Sequence, residues 1–310
     1  MQKLIIKGGR DLSGKISISG SKNATLPILA ASILSNQATI KNVPLVKDIF
    51  TMVELLNFIG LKTKILKREN TIQIKNKEKN INTLAPYKLV KTMRAGVLVL
   101  GSLLTKYRKA KVSLPGGCAI GSRPVDLHLF ALKKLGAKIK IKDGYILAQA
   151  KNGLKGTKIK FPSISVGATE NALLAAFKAK GKTILKNCAI EPEIKDLIKF
   201  LKKLGANISL KGRTISISEK KIKSSKIIHH VIFDRIELGT YMIASALLAK
   251  KNLTINKIEP KIIKNELNVL KKIGVKIKKN KNSIIIKKAK KLKKINIITK
   301  PYPGFPTDLQ

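Results

Sequence analysis

The segment of this sequence best suited to chemistry is the loop from Pro115 to His128, which reads PGGCAIGSRPVDLH. Its two adjacent glycines let the backbone approach a ligand closely. Cys118 follows them, and cations such as the nearby Arg123 lower the pKa of a thiol from its usual value of about 8.5. Cys118 could therefore act as a nucleophile or an acid, although an inert cysteine in a turn fits these residues equally well.

Several further positions could hold an anion. Arg123 presents a planar fork of donors that suits a phosphate, and Asp126 offers an acceptor for a uracil edge. Polar or cationic residues also precede three predicted apolar helices, at Ser21-Lys22-Asn23, Lys91-Thr-Met-Arg94 and Ser165-Val-Gly-Ala168. Free N–H groups at a helix N-terminus bind anions, so these helix starts could converge on one ligand. Lysine is common throughout the chain, which makes each of them a weak signal by itself.

Asp308 is an unusual residue in this chain, which has only 17 acidic side chains. It suits either a general base or a carboxylate that stabilises the start of a helix. The histidines show no metal-ligand spacing, and no metal is predicted. We interpret His128 as a loop or helix-start residue with a supporting role, and His229 and His230 as surface loop residues. Cys188 has the surroundings of a small buried residue.

The elements that must position these residues repeat four times along the chain. Each copy contains a Leu-x-x-Leu-Gly-like motif, with its glycine at Gly60, Gly136, Gly205 or Gly274. The pattern predicts an amphipathic helix that ends in a left-handed glycine, followed by two strands joined by a turn. An Ala- and Leu-rich helix and a short strand precede each copy. Because this helix is apolar on most faces, we expect it to be buried.

Charge and length limit the class of protein. With 64 basic and 17 acidic residues, the net charge of +47 raises the possibility of a nucleic-acid-binding protein. We favour a general lysine bias, because the lysines are scattered, aromatics make up only 4% and no RNA-recognition motif is present. The 310 residues predict about two domains. No apolar run of membrane-spanning length and no signal peptide are found, so we expect a cytoplasmic protein with two free thiols.

Along its whole length the sequence resembles the UDP-N-acetylglucosamine 1-carboxyvinyltransferases, enolpyruvyl transferases of peptidoglycan precursor synthesis. The Cys118 loop is the most specific part, since the related shikimate-pathway enzymes share the fold and lack it. The resemblance implies an α/β fold, an inverse α/β barrel of βαβαββ units in two domains. Residues 21–229 would form a complete domain of three units. Residues 1–20 and 230–310 would form a partial domain with one unit and the start of another.

The resemblance also implies the reaction, in which phosphoenolpyruvate donates its enolpyruvyl group to the 3-hydroxyl of UDP-N-acetylglucosamine without a cofactor. Cys118 would be the proton donor and form a covalent adduct, Asp308 would be the base, and Lys22 and Arg123 would neutralise charge. The substrate contacts so implied are Lys22, Asn23, Arg94, Arg123, Pro124, Val125, Asp126, Leu127, Ser163, Ile164, Ser165, Val166 and Asp308. No specific nucleic acid or membrane is an expected partner, and the oligomeric state is not predicted.

Two departures from the family pattern affect the expected activity. Ser163 stands where the family usually has a lysine, and family members continue for nearly two further repeat units. Because the sequence stops at Thr307–Gln310, where a further helix would begin, we expect a truncated chain with little or no turnover. The alternative functions are an inactive relic or a fragment that still binds the nucleotide sugar.

Overall fold

The computed structural model describes residues 3, 5–9, 12–76, 81–116, 124–218, 226–249, 251–289 and 291–309, which form a mixed α/β fold. The α-helices are α1 (Lys22–Ala31), α2 (Lys47–Ile59), α3 (Tyr87–Val90), α4 (Val99–Tyr107), α5 (Asp126–Lys134), α6 (Val166–Ala176), α7 (Pro192–Lys203), α8 (Arg235–Leu248) and α9 (Lys264–Ile273). The strands are β1 (Gly14–Ser17), β2 (Gln37–Lys41), β3 (Lys62–Leu66), β4 (Thr71–Lys75), β5 (Leu84–Ala85), β6 (Lys109–Ser113), β7 (Lys138–Lys142), β8 (Tyr145–Gln149), β9 (Lys158–Lys160), β10 (Thr183–Lys186), β11 (Asn207–Lys211), β12 (Thr214–Ser218), β13 (Lys226–His230), β14 (Asn252–Asn256), β15 (Lys276–Lys279) and β16 (Ser283–Lys287). Within these ranges, none of the helices has the length and apolarity needed to cross a bilayer.

The described strands pair into four sheets of four strands, one for each copy of the repeat. Their orders are β13-β2-β4-β3, β5-β6-β8-β7, β9-β10-β12-β11 and β1-β14-β16-β15. The leading strand runs parallel to its neighbour in every sheet, and the other pairs are antiparallel. The residue pattern had missed these leading strands. Two of them, β5 and β9, have only two and three residues, which is too short for a period-two pattern to be visible.

The chain divides into two compact units. The large unit spans Gly20–Ile232 and contains three of the sheets, and the small unit combines Met1–Ser19 with Phe233–Gln310 and contains the fourth. The first and fourth copies exchange leading strands: β1 pairs with β14, and β13 pairs with β2. Each unit has its own cluster of buried apolar side chains.

The Ala- and Leu-rich helices differ between the two units. In the large unit, α1, α4 and α6 are buried over most of their length, as their apolar composition predicts. In the small unit, α8 exposes Leu247 and Leu248 near its C-terminal end. The expectation that all four helices are buried is therefore wrong for α8. Among the described residues, this helix packs mainly on β14, β16, α9 and Thr307–Leu309.

The glycines of the repeat motif have the predicted conformation. The φ angles are 111° at Gly60, 95° at Gly136 and 105° at both Gly205 and Gly274. This left-handed region carries a steric penalty for residues with a Cβ atom, so glycine ends the helix and turns the chain into the next strand.

The interpretation of His229 as a surface loop residue is wrong. It lies in β13, which alternates between exposed and buried side chains as it pairs with β2. His229 is 3% exposed, whereas its neighbour His230 faces outward. The carboxylate of Asp196 in α7 lies 3.1 Å from His229 Nε2 and satisfies one of its two ring nitrogens. A strand interior was not foreseen because two adjacent histidines do not show the alternation of polar and apolar residues.

Candidate active site

The N-terminus of α1 holds Lys22, the residue predicted to bind an anion. The Ser21 hydroxyl caps this helix by accepting a hydrogen bond from Ala24 N–H at 3.2 Å. Lys22 Nζ lies 3.2 Å from Asp48 Oδ2, and both side chains are partly exposed. A pair of this kind contributes little to stability, so the lysine remains able to turn toward a ligand. Asn23, the next residue, is exposed.

A second position in the large unit combines a cation with buried ionisable groups. Arg94 begins a 3₁₀-helix that ends at Leu98, and its side chain is exposed. Burial, and to a smaller extent the positive charge of Arg94, lowers the pKa of His128 in α5, and the same charge opposes the rise in the pKa of Glu170 in α6. The structure thus brings Arg94 close to the start of α5 and the first half of α6.

Glu170 belongs to a group of buried carboxyl side chains that the sequence had not singled out. Burial raises its pKa well above the usual value, Glu193 and Glu191 raise it further, and Arg94 opposes them. The protonated, neutral form of Glu170 is therefore favoured. The signal available in the sequence was a glutamate and an asparagine within an Ala- and Leu-rich helix. Among the described residues, no cluster of acidic, histidine or cysteine side chains has a metal-binding arrangement.

The start of α6 is held by its own capping residue. Ser165 Oγ accepts a hydrogen bond from Ala168 N–H at 3.3 Å, and Thr169 Oγ1 donates to Ser165 O at 2.7 Å. Thr169 Oγ1 also accepts from Ala189 N–H at 3.1 Å, which fixes the helix to the chain before α7. The predicted contact residues here differ in access: Ser163 and Val166 are exposed, and Ile164 and Ser165 are half-buried.

The predicted uridine-binding residues lie at the start of α5. Asp126 is the first residue of this helix and is exposed, as is Pro124. Val125 is buried and Leu127 packs against the core, so these two residues could contact a ligand mainly through their backbone. Cys118 and Arg123 lie outside the described residues.

Asp308 is in the small unit, in a 3₁₀-helix formed by Thr307–Leu309. Its carboxylate is exposed, whereas the adjacent Leu309 is buried. The other described site candidates all belong to the large unit. Cys188 is fully buried, as predicted, and burial raises the pKa of its thiol to about 12. Cys188 is therefore unsuited to nucleophilic chemistry.

Comparison with known proteins gives matches along almost the whole chain. Residues 6–310 match the family described as EPSP synthase (3-phosphoshikimate 1-carboxyvinyltransferase). The UDP-N-acetylglucosamine 1-carboxyvinyltransferase of Pelagibacter ubique is 57% identical over 311 aligned residues, which cover 100% of this chain and 74% of that protein. The enzyme of the same name from Endomicrobium trichonymphae is 50% identical, with 100% of this chain and 73% of that protein covered.

Solved structures show the same fold at much lower sequence identity. The enolpyruvyl transferase NikO from Streptomyces tendae superposes with a TM-score of 0.83 at 22% identity, covering 97% of this chain and 72% of that one. An EPSP synthase from Acinetobacter baumannii gives a TM-score of 0.71 at 17% identity, covering 96% and 68%. At these identities the likeness concerns the fold alone.

Proposed function

This chain belongs to the carboxyvinyltransferase family of enolpyruvyl transferases, and we propose that it transfers the enolpyruvyl group of phosphoenolpyruvate to UDP-N-acetylglucosamine. The acceptor would be the sugar 3-hydroxyl, with phosphate released in the first committed step of peptidoglycan precursor synthesis. The observation that carries this proposal is the 57% identity, over the full chain, to an enzyme named for that reaction.

The large unit offers positions for both substrates. Lys22 and Asn23, at the start of α1, would hold the anionic groups of phosphoenolpyruvate, with help from Arg123. Arg94, residues 123–127 and residues 163–166 would contact the nucleotide sugar. The exposure of Lys22, Asn23 and Arg94 supports this assignment, since a binding residue must be reachable.

The proposed reaction is an addition followed by an elimination. Cys118 donates a proton to the methylene carbon of phosphoenolpyruvate, and the adjacent carbon becomes electrophilic. The sugar 3-hydroxyl attacks that carbon while Asp308 accepts its proton, giving a tetrahedral intermediate. Loss of a proton from the methyl group and departure of phosphate restore the double bond. Fixed cations such as Lys22 and Arg123 stabilise the charge that develops on the carboxylate and phosphate.

The test is to incubate the purified chain with both substrates and to measure released phosphate, the carboxyvinyl product by mass spectrometry, and sugar-nucleotide binding by calorimetry. Phosphate release that requires UDP-N-acetylglucosamine and is lost in Cys118→Ser supports the proposal. Cys188→Ser is the matched control, because that buried thiol has no part in the reaction. The proposal is contradicted if the chain neither binds the sugar nucleotide nor releases phosphate in its presence.

A further inference from the structure

The small unit carries a strongly basic segment at the end of its strand β16. Residues 287–294 read KKAKKLKK, and residues 267–307 as a whole contain 13 lysines and no acidic side chain. Among the lysines of the basic segment, Lys291, Lys293 and Lys294 are exposed. This part of the chain therefore presents an unbalanced positive charge to the solvent.

Backbone hydrogen bonds hold the basic segment against the C-terminal ends of two helices. Ala289 N–H donates to Ala246 O in α8 at 3.2 Å, and Lys293 N–H donates to Ile273 O at the end of α9 at 2.9 Å. Two further exposed lysines occupy the last turn of α9. The fold thus gathers lysines from α9 and from the basic segment on one surface of the small unit.

Large aliphatic side chains are exposed on the same surface. Leu247 and Leu248 lie at the end of α8, Leu292 lies within the basic segment, and Ile297 and Ile298 follow it; Ile298 is 72% exposed. Leu247, Leu292 and Ile297 also line an apolar pocket that is partly open to solvent. Contiguous exposed apolar side chains of this kind mark interaction sites. The basic apolar surface consists of these five side chains together with Lys271, Lys272, Lys291, Lys293 and Lys294.

We propose that the basic apolar surface binds the face of a lipid bilayer that contains anionic phospholipids. The lysine ammonium groups attract the phosphate head groups, and the leucine and isoleucine side chains leave water by entering the boundary of the acyl chains. A surface of this kind lies on a bilayer without crossing it, so the proposal requires no membrane-spanning helix. It is independent of the proposed reaction, whose candidate residues lie elsewhere.

Charge and side-chain type favour this partner over two others. A second copy of the chain would bring lysines against lysines, and this repulsion opposes a dimer formed through the basic apolar surface. Proteins that bind single-stranded nucleic acid combine lysines with aromatic rings on which the bases stack. The five exposed apolar side chains of this surface are all leucine or isoleucine, which suit acyl chains better than bases.

The first test uses tryptophan fluorescence, because the chain contains no tryptophan. Ile298→Trp places a single probe in the basic apolar surface, and Ile228→Trp places one at an exposed isoleucine of β13 in the large unit. Vesicles of phosphatidylcholine and phosphatidylglycerol should shift the emission of Ile298→Trp to shorter wavelengths, because the indole enters the bilayer interface. The emission of Ile228→Trp should not shift, and vesicles of phosphatidylcholine alone should shift neither.

The second test measures the contribution of the lysines by co-sedimentation with the same anionic vesicles. The double variant Lys293→Gln, Lys294→Gln should lower the partition coefficient roughly 25-fold, since each lysine near an anionic surface contributes about fivefold. The control is Lys138→Gln, Lys140→Gln, which removes the same charge from exposed positions of β7 and should lower it by less than about threefold. Added salt should weaken the binding of the wild type, because it screens the lysines.

Several results would overturn the inference. Equal emission shifts of the two tryptophan variants, or equal losses in the two lysine variants, would show that the overall charge of +47 attracts the vesicles without regard to this surface. Absence of binding to the anionic vesicles would refute it directly. A dimer in sedimentation velocity, or an oligonucleotide complex, that Lys293→Gln, Lys294→Gln abolishes while vesicles do not bind would assign the surface to a second copy or to nucleic acid instead. Turnover of the two substrates is measured separately, so failure here leaves the proposed function in place.

Discussion

The two units use the same type of helix in different surroundings. In the large unit, α6 buries an unbroken run from Ala168 to Ala176 between neighbouring helices. In the small unit, α8 also contains several alanines and leucines, yet Leu247 and Leu248 are 48% and 58% exposed. The comparison shows that an apolar composition allows such a helix to be buried on all sides. Whether it is buried depends on the elements that pack around it.

The two units also differ in the contacts found near their buried helices. The large unit contains buried polar groups with specific contacts, among them His128, Asn171 and Asp196. In the small unit, an apolar pocket of about 260 Å³ that is partly open to solvent lies next to α8 and α9. Met242 and Phe305 are among its lining residues. A side chain in a filled contact and a side chain beside an open pocket should respond differently to the same kind of substitution.

The largest expected effect comes from shortening a leucine in each of the two helices. Leu174 in α6 is fully buried, and Leu174→Ala should lower the free energy of unfolding by about 2 to 5 kcal/mol through lost burial and the cavity left behind. Leu248→Ala in α8 should change it by less than about 0.5 kcal/mol, because that side chain is already largely in water. Urea unfolding measures both values. Similar losses of stability in the two variants would contradict the difference in burial between α6 and α8.

The buried histidine of the large unit predicts a dependence on pH. Because folding lowers the pKa of His128 from 6.5 to about 4, the unfolded chain binds more protons between these values. Stability from this group is complete above pH 6.5 and falls by about 3 kcal/mol as the pH drops to 4. Glu170, whose pKa is raised, acts in the opposite direction and loses stability as the pH increases.

The contribution of His128 can be isolated by a difference between variants. The stability of the wild type relative to His128→Gln should increase from pH 4 to pH 6.5 and then remain constant. His230→Gln is the control, since this histidine is exposed in the same chain. A wild-type advantage that is the same at both pH values would show that His128 is not held neutral by the fold.

The features that could be predicted from the sequence are those that depend on residues close together in the chain. The left-handed glycines that end the repeat helices follow from the missing Cβ atom. The helix starts at Ser21 and Ser165 follow from polar residues that precede apolar runs. The contacts among Gly101, His128 and Asn171 could not be predicted in this way, because they join residues 43 and 70 positions apart. The burial of His229 likewise depends on strand β13 pairing with β2, far away in the chain.

A third prediction compares glycines at helix contacts in the two units, starting with Gly101 in α4. A Cβ atom at this position would overlap Asn171 Oδ1 and lie 2.6 Å from Asn171 O and 3.2 Å from Ala175 N. Two of these atoms belong to the backbone of α6 and can move only with the helix. Gly101→Ala should therefore lower the free energy of unfolding by about 1 to 3 kcal/mol, as measured by urea unfolding. It should also change the nuclear magnetic resonance signal of the His128 ring, because Asn171 contacts both Gly101 and His128.

A smaller effect is expected at a glycine contact of the small unit. The three atoms nearest to a Cβ atom at Gly239 in α8 would all belong to the Leu309 side chain. A leucine side chain can change rotamer, and the adjacent pocket gives it room, so Gly239→Ala should cost about 1 kcal/mol or less in stability. The same substitution displaces the residue next to Asp308, the proposed base. Hydrogen exchange should therefore increase at Thr307–Leu309 while the large unit is unchanged. A loss as large as that of Gly101→Ala would mean that the small unit is packed as rigidly as the large one, despite its open pocket and its exposed leucines.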